Sequence, residues 1–218
     1  MIALNQVTKS YGNLKVVNGV SLEAPETSFT VIAGPSGTGK TTLLRLIAGL
    51  EMPDDGEIYI DGALANGTGW ALAPNRRGLG FVFQTSALWP HMTVDQNIMF
   101  GLHGIPKDEA YHRLHGLLES TYLTGLSRRY PHQISGGEAR RVALVRTLAP
   151  RPRRLLMDEP LTNVDPNLKL KLLSLIKQSV VDTGASLIYV THDVDEAKQI
   201  SERVLTLKDG SLDPTAPF

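Results

Sequence analysis

The stretch GPSGTGKTT, residues 34–42, constrains this chain more than any other. It fits G-x-x-x-x-G-K-[ST], with Gly34, Gly39, Lys40 and Thr41 at the fixed positions and Pro35, Ser36, Gly37, Thr38 and Thr42 completing the loop. Upstream, residues 29–33 (FTVIA) are a short apolar run of strand type. Downstream, 43–49 (LLRLIAG) reads as a helix closed by glycine. Strand, glycine loop and helix in that order make a phosphate-binding loop. Glycines let backbone N–H groups turn inward onto an anion, and the helix N-terminus adds about half a positive charge. Lys40 is suited to neutralise the β- and γ-phosphates of a nucleotide, and the Thr41 hydroxyl to ligate Mg²⁺.

Composition narrows the rest. The 218 residues are 42% hydrophobic and 20% charged, the profile of a globular chain with a sizeable core. No apolar run reaches the roughly 18–20 residues a membrane helix needs. The N-terminus lacks the basic and apolar regions of a signal peptide, so the expected location is cytoplasmic. There is no cysteine, hence no disulfide and no thiolate metal site. A formal net charge of zero argues against nucleic acid as a partner. One basic patch stands out over 128–154: eight arginines against the single Glu138. It reads either as a solvated helix face with a strand entry or as a surface for phosphate or a partner.

Taken in order, strands are predicted over 2–8 and around Val16, Val17, Val20 and Leu22, with Tyr11-Gly12 at the turn between them. A turn at 53–56 precedes a strand over 57–60, and 63–78 reads as loop. Residues 80–83 form a buried strand with Gln84 at its end. From 85 to 150 the pattern changes to helices alone, over 95–102, over 107–123 with Tyr111, Leu114, Leu117 and Leu118 on one face, and from Ser135 onward. Strands resume at 155–157, running into Asp158-Glu159-Pro160. Asp165 caps a helix to about Val181 with Pro166 in its first turn and Leu168, Leu172, Leu175 and Ile176 on its apolar face. A strand over 186–190 ends at Thr191-His192, Asp193 and Glu196 form a capping box, 204–212 is a hairpin, and the tail 213–218 is expected to fray.

Four apolar strands thus end in polar chemistry: at the phosphate loop, at Gln84, at Asp158-Glu159 and at His192. Strands joined by helical crossovers run parallel, and their C-terminal ends share the edge where ligands bind in open α/β sheets. Asp158 is the candidate Mg²⁺ carboxylate and Glu159 the candidate general base for an attacking water. Two carboxylates with no arrangement for a phosphoenzyme point to hydrolysis. Gln84 could touch Mg²⁺ or the water, and His192 the γ-phosphate. The remaining histidines, His112 and His115 at helical i,i+3 included, lack the carboxylate support of a metal site. Ser135-Gly136-Gly137-Glu138 has two readings, a capping box and an anion-binding helix start, and the residues alone do not choose between them.

Together these residues resemble the ATP-binding-cassette (ABC) ATPase family, over nearly the whole chain. The loop at 34–42 resembles the Walker A motif, Tyr11 the aromatic that stacks on adenine, and Gln84 the Q-loop glutamine. Residues 134–138 (ISGGE) are similar to the signature L-S-G-G-Q, 155–159 to Walker B with its catalytic glutamate, Asp165 to the D-loop aspartate and His192 to the switch histidine. The resemblance implies an α/β fold: a P-loop NTPase core with a mostly parallel sheet, antiparallel strands near the N-terminus and an inserted α-helical subdomain. It implies one ABC ATPase domain over 1–218, with a core over 1–84 and 151–218 and a helical subdomain over about 85–150.

The same resemblance implies ATP and Mg²⁺ as ligands and a head-to-tail dimer, formed with a second copy or a paired ABC subunit. In it Ser135, Gly136 and Gly137 of one subunit face the γ-phosphate held by Lys40 of the other, with Asp165 alongside. It further implies transmembrane permease subunits as partners on the inner face of the cell membrane, with a solute-binding protein where the system imports. Residues 88–98 and 163–166 are similar to importer ATPases. The alternative is an ABC ATPase of a non-import membrane complex, of cell-division or lipoprotein-release type. Glu138 and Ile134 depart from the usual Gln and Leu of the signature, and Thr162 from the commoner Ser. The C-terminal regulatory domain of many sugar and metal importers is expected to be lacking.

Overall fold

Two hydrophobic periods alternate along the chain, and they sort it into sheet and helix. The computed structural model describes residues 1–201 and 203–213; the part of the tail beyond 213 that was expected to fray lies outside the described residues. In chain order the elements are β1 (Ile2–Tyr11), β2 (Leu14–Ala24), β3 (Ser28–Ala33), α1 (Lys40–Ala48), β4 (Asp55–Ile60), β5 (Ala63–Gly67), β6 (Trp70–Ala71) and β7 (Gly80–Val82). Three helices follow, α2 (Val94–Phe100), α3 (Lys107–Ser120) and α4 (Gly136–Leu148). Then come β8 (Arg154–Asp158), α5 (Pro166–Thr183), β9 (Ser186–Thr191), α6 (Val194–Ile200), β10 (Val204–Lys208) and β11 (Ser211–Asp213). The chain divides into two compact units, one of residues 1–81, 153–159 and 180–218, the other of 82–152 and 160–179.

The first unit carries two sheets. One is antiparallel, in the order β2-β1-β4-β5-β6. The other has the order β11-β10-β3-β9-β8-β7, and its β10, β3, β9 and β8 run parallel. The parallel strands lie deep: every residue of β9 is buried, as are four of the five in β8. That explains their unbroken apolar runs, since a strand covered on both faces has no polar side to alternate with. Helix α1 packs on β8 and β2, and Leu43, Leu44, Leu46 and Ile47 join Ile32, Leu156, Ile188 and Val190 in one core. The register sets Ala33 beside Thr191 and Asp158 beside Val190, so the ends of β3, β8 and β9 lie level.

Residues 63–78 are not loop. They hold β5, β6 and a 3₁₀ turn at Pro74–Arg76. These strands hang on β4 through main-chain pairing, and Leu64 and Trp70 are exposed, so no alternation of side chains betrays them. Arg77 then turns inward, 2% exposed, and donates to the carbonyls of Leu46 and Ile47 in the last turn of α1 and to those of Ala65 and Leu72. Burial lowers its pKa to about 10, still a full cation at neutral pH, where it opposes the negative end of the α1 dipole.

The second unit is helical. Val94, Ile98, Ala110, Leu114, Leu118, Val142 and Val145 make its core. Tyr111 is not on the buried face of α3; Ala110 takes that place, and Tyr111 is exposed with His115 stacked beside it. On α5, Leu172, Leu173, Ile176 and Val180 are buried.

Candidate functional site

The phosphate loop follows β3 directly. Gly39 closes it at φ 100°, and a Cβ there would meet the Val16 carbonyl oxygen at 2.4 Å, so only glycine fits on both counts. Gly39 is the N-cap of α1 and supplies no side-chain cap, which leaves the first N–H groups of the helix without an internal side-chain partner. Lys40 is 4% exposed, and its Nζ donates to the carbonyls of Gly34 and Pro35, each at 2.7 Å. Burial pulls its pKa down, and the neighbouring Glu159 and Asp158 carboxylates pull it back up. Thr38 braces the loop by donating to the Pro35 carbonyl at 3.0 Å.

Across the sheet edge, β8 delivers Asp158 and Glu159. Asp158 is 2% exposed; its carboxylate accepts from the Thr41 hydroxyl, while Oδ1 is buried with no hydrogen-bond partner. Burial raises its pKa, with Glu159 adding to the rise. A buried carboxylate oxygen left without a donor, beside a threonine hydroxyl, is the chemistry of a hard-cation site, so Asp158 and Thr41 fit Mg²⁺. Glu159 is 8% exposed and held at φ 47°, a left-handed conformation that costs a glutamate about 1–3 kcal/mol and is typical of functional sites. Its amide donates to the Val190 carbonyl at 3.0 Å, and its Oε2 lies 3.0 Å from Nδ1 of His192, whose ring is exposed at the end of β9. The predicted Asp193–Glu196 box is half formed. Asp193 accepts from the amides of Asp195 and Glu196, but the Glu196 carboxylate turns inward to accept from Tyr189 and Thr191.

Tyr11 ends β1 and is 48% exposed. In the helical unit, Gln84 is exposed just after β7, and Asp165 accepts from the amides of Asn167 and Leu168 to start α5. Ser135 caps α4 reciprocally: its hydroxyl accepts from the Glu138 amide at 3.3 Å, and Glu138 Oε2 accepts from the Ser135 amide at 2.7 Å. The first unit therefore brings together Lys40, Thr41, Asp158, Glu159 and His192, while Gln84, Ser135, Gly136, Gly137 and Asp165 belong to the second.

The arginine patch contains clasps that neither of its readings anticipated. Arg146 donates to the carbonyls of Ala87 and Ser86 and stacks its guanidinium 4.9 Å from the Trp89 ring, pinning the segment that follows Gln84. Buried Asn97 holds the same segment through Trp89, Met92 and Thr93. Arg140 donates to the Thr162 carbonyl at 2.8 Å. The only trace of such clasps in the sequence is an excess of arginine over acid, which a solvated surface would show equally.

A glycine-capped phosphate loop level with a buried aspartate and a strained glutamate defines a nucleotide-binding α/β domain of the P-loop class. The chain belongs to the ABC transporter family, whose model matches residues 17–162. It is 42% identical to the sulfate/thiosulfate import ATP-binding protein CysA of Thermosynechococcus vestitus, over 97% of this chain and 62% of that protein. It is also 42% identical to the Fe(3+) ions import ATP-binding protein FbpC of Serratia marcescens, over 97% and 61%. The chain thus spans about three fifths of the length of these curated relatives. Among solved structures, a dimeric post-hydrolysis state of an ATP-binding cassette bound to ADP and Pi matches with a TM-score of 0.87 at 32% identity, over the whole of both chains.

Proposed function

We propose that this protein is the ATP-binding and ATP-hydrolysing subunit of an ABC importer, and that its two units together form one cassette domain. The observation that carries this reading is the buried Asp158–Glu159 pair facing the phosphate loop, with His192 on Glu159. In this reading the loop amides and Lys40 hold the β- and γ-phosphates, and Tyr11 stacks on adenine. Thr41 and Asp158, with Gln84, hold Mg²⁺, which when bound offsets phosphate charge. Glu159 takes the proton of the attacking water, and His192 keeps its carboxylate oriented and contacts the γ-phosphate. Ser135, Gly136 and Gly137 of a second subunit complete the site, with Asp165 at the same junction.

Import is favoured by the relatives, whose names are import ATP-binding proteins for sulfate/thiosulfate and Fe(3+) ions. No helix among the described residues is long and apolar enough to cross a membrane. By likeness to these import ATP-binding proteins, the partners in this reading are transmembrane permease subunits at the inner face of the cell membrane, with a solute-binding protein delivering the cargo. The test is steady-state phosphate release by the purified protein, joined to co-purification from native membranes in detergent. Phosphate release together with a polytopic permease supports the reading; a hydrolysing protein with no membrane partner excludes transport.

A further inference from the structure

The end of β1 is tied down more firmly than an exposed strand end needs. The Tyr11 hydroxyl donates to the Glu51 carboxylate, whose other oxygen accepts from Arg45 Nη1 at 3.1 Å. Arg45 lies on α1, the helix that starts at the phosphate loop, and the amides of Leu50 and Glu51 both return to its carbonyl, at 2.9 and 3.3 Å. The Tyr11 hydroxyl also meets Thr42 on the first turn of that helix. Just upstream, the Ser10 amide and Lys9 Nζ both donate to Asp54, and Lys9 Nζ stands 5.9 Å from the centre of the Tyr11 ring. Tyr11 nonetheless remains about half exposed. An aromatic side chain in water ordinarily samples several rotamers; this one is anchored at its tip to the helix that carries the phosphate loop.

We propose that Glu51 is a positioning residue for the nucleotide base: by holding the Tyr11 hydroxyl against α1, it fixes the ring as a stacking platform at a set distance from the phosphate loop. The inference rests on the nucleotide-site reading above and assigns Glu51 no contact with ATP. Because the ring is ordered before the ligand arrives, the base does not have to order it, and preorganisation of this kind strengthens binding without adding a contact. A residue that acts through the ring affects ligands that carry a base and leaves a bare phosphate chain alone.

Calorimetric titration of the full chain with ATP and with inorganic tripolyphosphate separates the two. Glu51→Ala and Tyr11→Phe are each expected to weaken ATP binding about three- to tenfold and to leave tripolyphosphate affinity within about twofold. The double variant is expected to be no weaker than either single one, since both remove the same tether. Glu51→Gln keeps an acceptor for the hydroxyl and is expected to restore ATP affinity to within about twofold of the parent. Equal losses for ATP and tripolyphosphate would overturn the proposal, placing Glu51 in support of the loop through Arg45; so would unchanged ATP affinity in Glu51→Ala. A parent protein that binds neither ligand would instead overturn the nucleotide-site reading itself.

Discussion

Two helices of this protein begin on glycine-rich turns, and they begin differently. At α1, Gly39 supplies no side-chain cap, and its conformation and the approach of Val16 both require glycine. At α4, Ser135 and Glu138 close a full capping box, and neither Gly136 nor Gly137 is required by the backbone. A Cβ at Gly136 meets nothing within 4 Å, and one at Gly137 meets only the Asn163 carbonyl oxygen at 3.9 Å. Neither glycine has a positive φ. The first start is a phosphate cradle built by the fold itself. The second is a finished helix end whose glycines have no structural reason, so their bareness points outward, to something that must come close. That weighs the two readings of the signature toward function.

The first start should break most completely. Lys40→Ala removes the buried ammonium and is expected to abolish ATP binding; ATP affinity unchanged in an equilibrium titration would refute the loop assignment. Glu159→Gln comes next. Loss of a general base lowers turnover by about 10²–10⁴-fold, while ATP and the loop remain. Under the sandwich mechanism this variant accumulates as an ATP-bound dimer, visible by light scattering at saturating Mg-ATP. A monomer under those conditions would contradict the mechanism.

How much of this was legible follows from where the information lies. The phosphate loop, Asp158, Glu159 and His192 all stand at ends of buried strands, where an unbroken apolar run such as LIYV stops abruptly at polar residues. Backbone rules and hydrophobic burial place them, and both are local in sequence. Glu51, Arg77, Asn97 and Arg146 work by donating to or bracing other segments, the longest reaches being 40, 31, 8 and 60 residues. Such clasps depend on the tertiary path alone, and no spacing rule reports them. The strands β5 and β6 are hidden for a related reason: they are short, β6 is the sheet edge, and main-chain pairing holds them with no regular alternation in the side chains.

Gly137→Ala tests the second start directly. Alanine within a helix is more favourable than glycine by about 0.5–1 kcal/mol, so thermal stability is expected to hold or rise. Turnover is expected to fall by about tenfold or more, equivalent to roughly 1.4 kcal/mol, because the methyl group would stand between the helix start and the incoming phosphate. A stable variant with parental turnover would show that the glycine is incidental and return the motif to a purely structural role.

The smallest effect is expected from Glu138→Gln, the signature's own departure. The Ser135 amide and hydroxyl hold the Glu138 carboxyl below the usual carboxylate range, with Arg141 and Arg129 adding to the shift. Glutamine can fill the same place in a capping box, so turnover should change by less than about tenfold, or 1.4 kcal/mol. The charge leaves a second trace. A carboxyl whose folded-state pKa is depressed contributes stability that is complete above its unfolded value, about 4.3, and lost as pH falls through the folded value. The parent should therefore melt slightly higher than Glu138→Gln at pH 7, by the few tenths of a kcal/mol an acid at a helix start supplies. The gap should narrow as pH falls below the unfolded value and through the lower folded one, where the carboxyl loses its charge and the amide has none to lose. A gap that widens on acidification would mean that the charge is a burden to this helix, tolerated for what it does to the phosphate across the dimer.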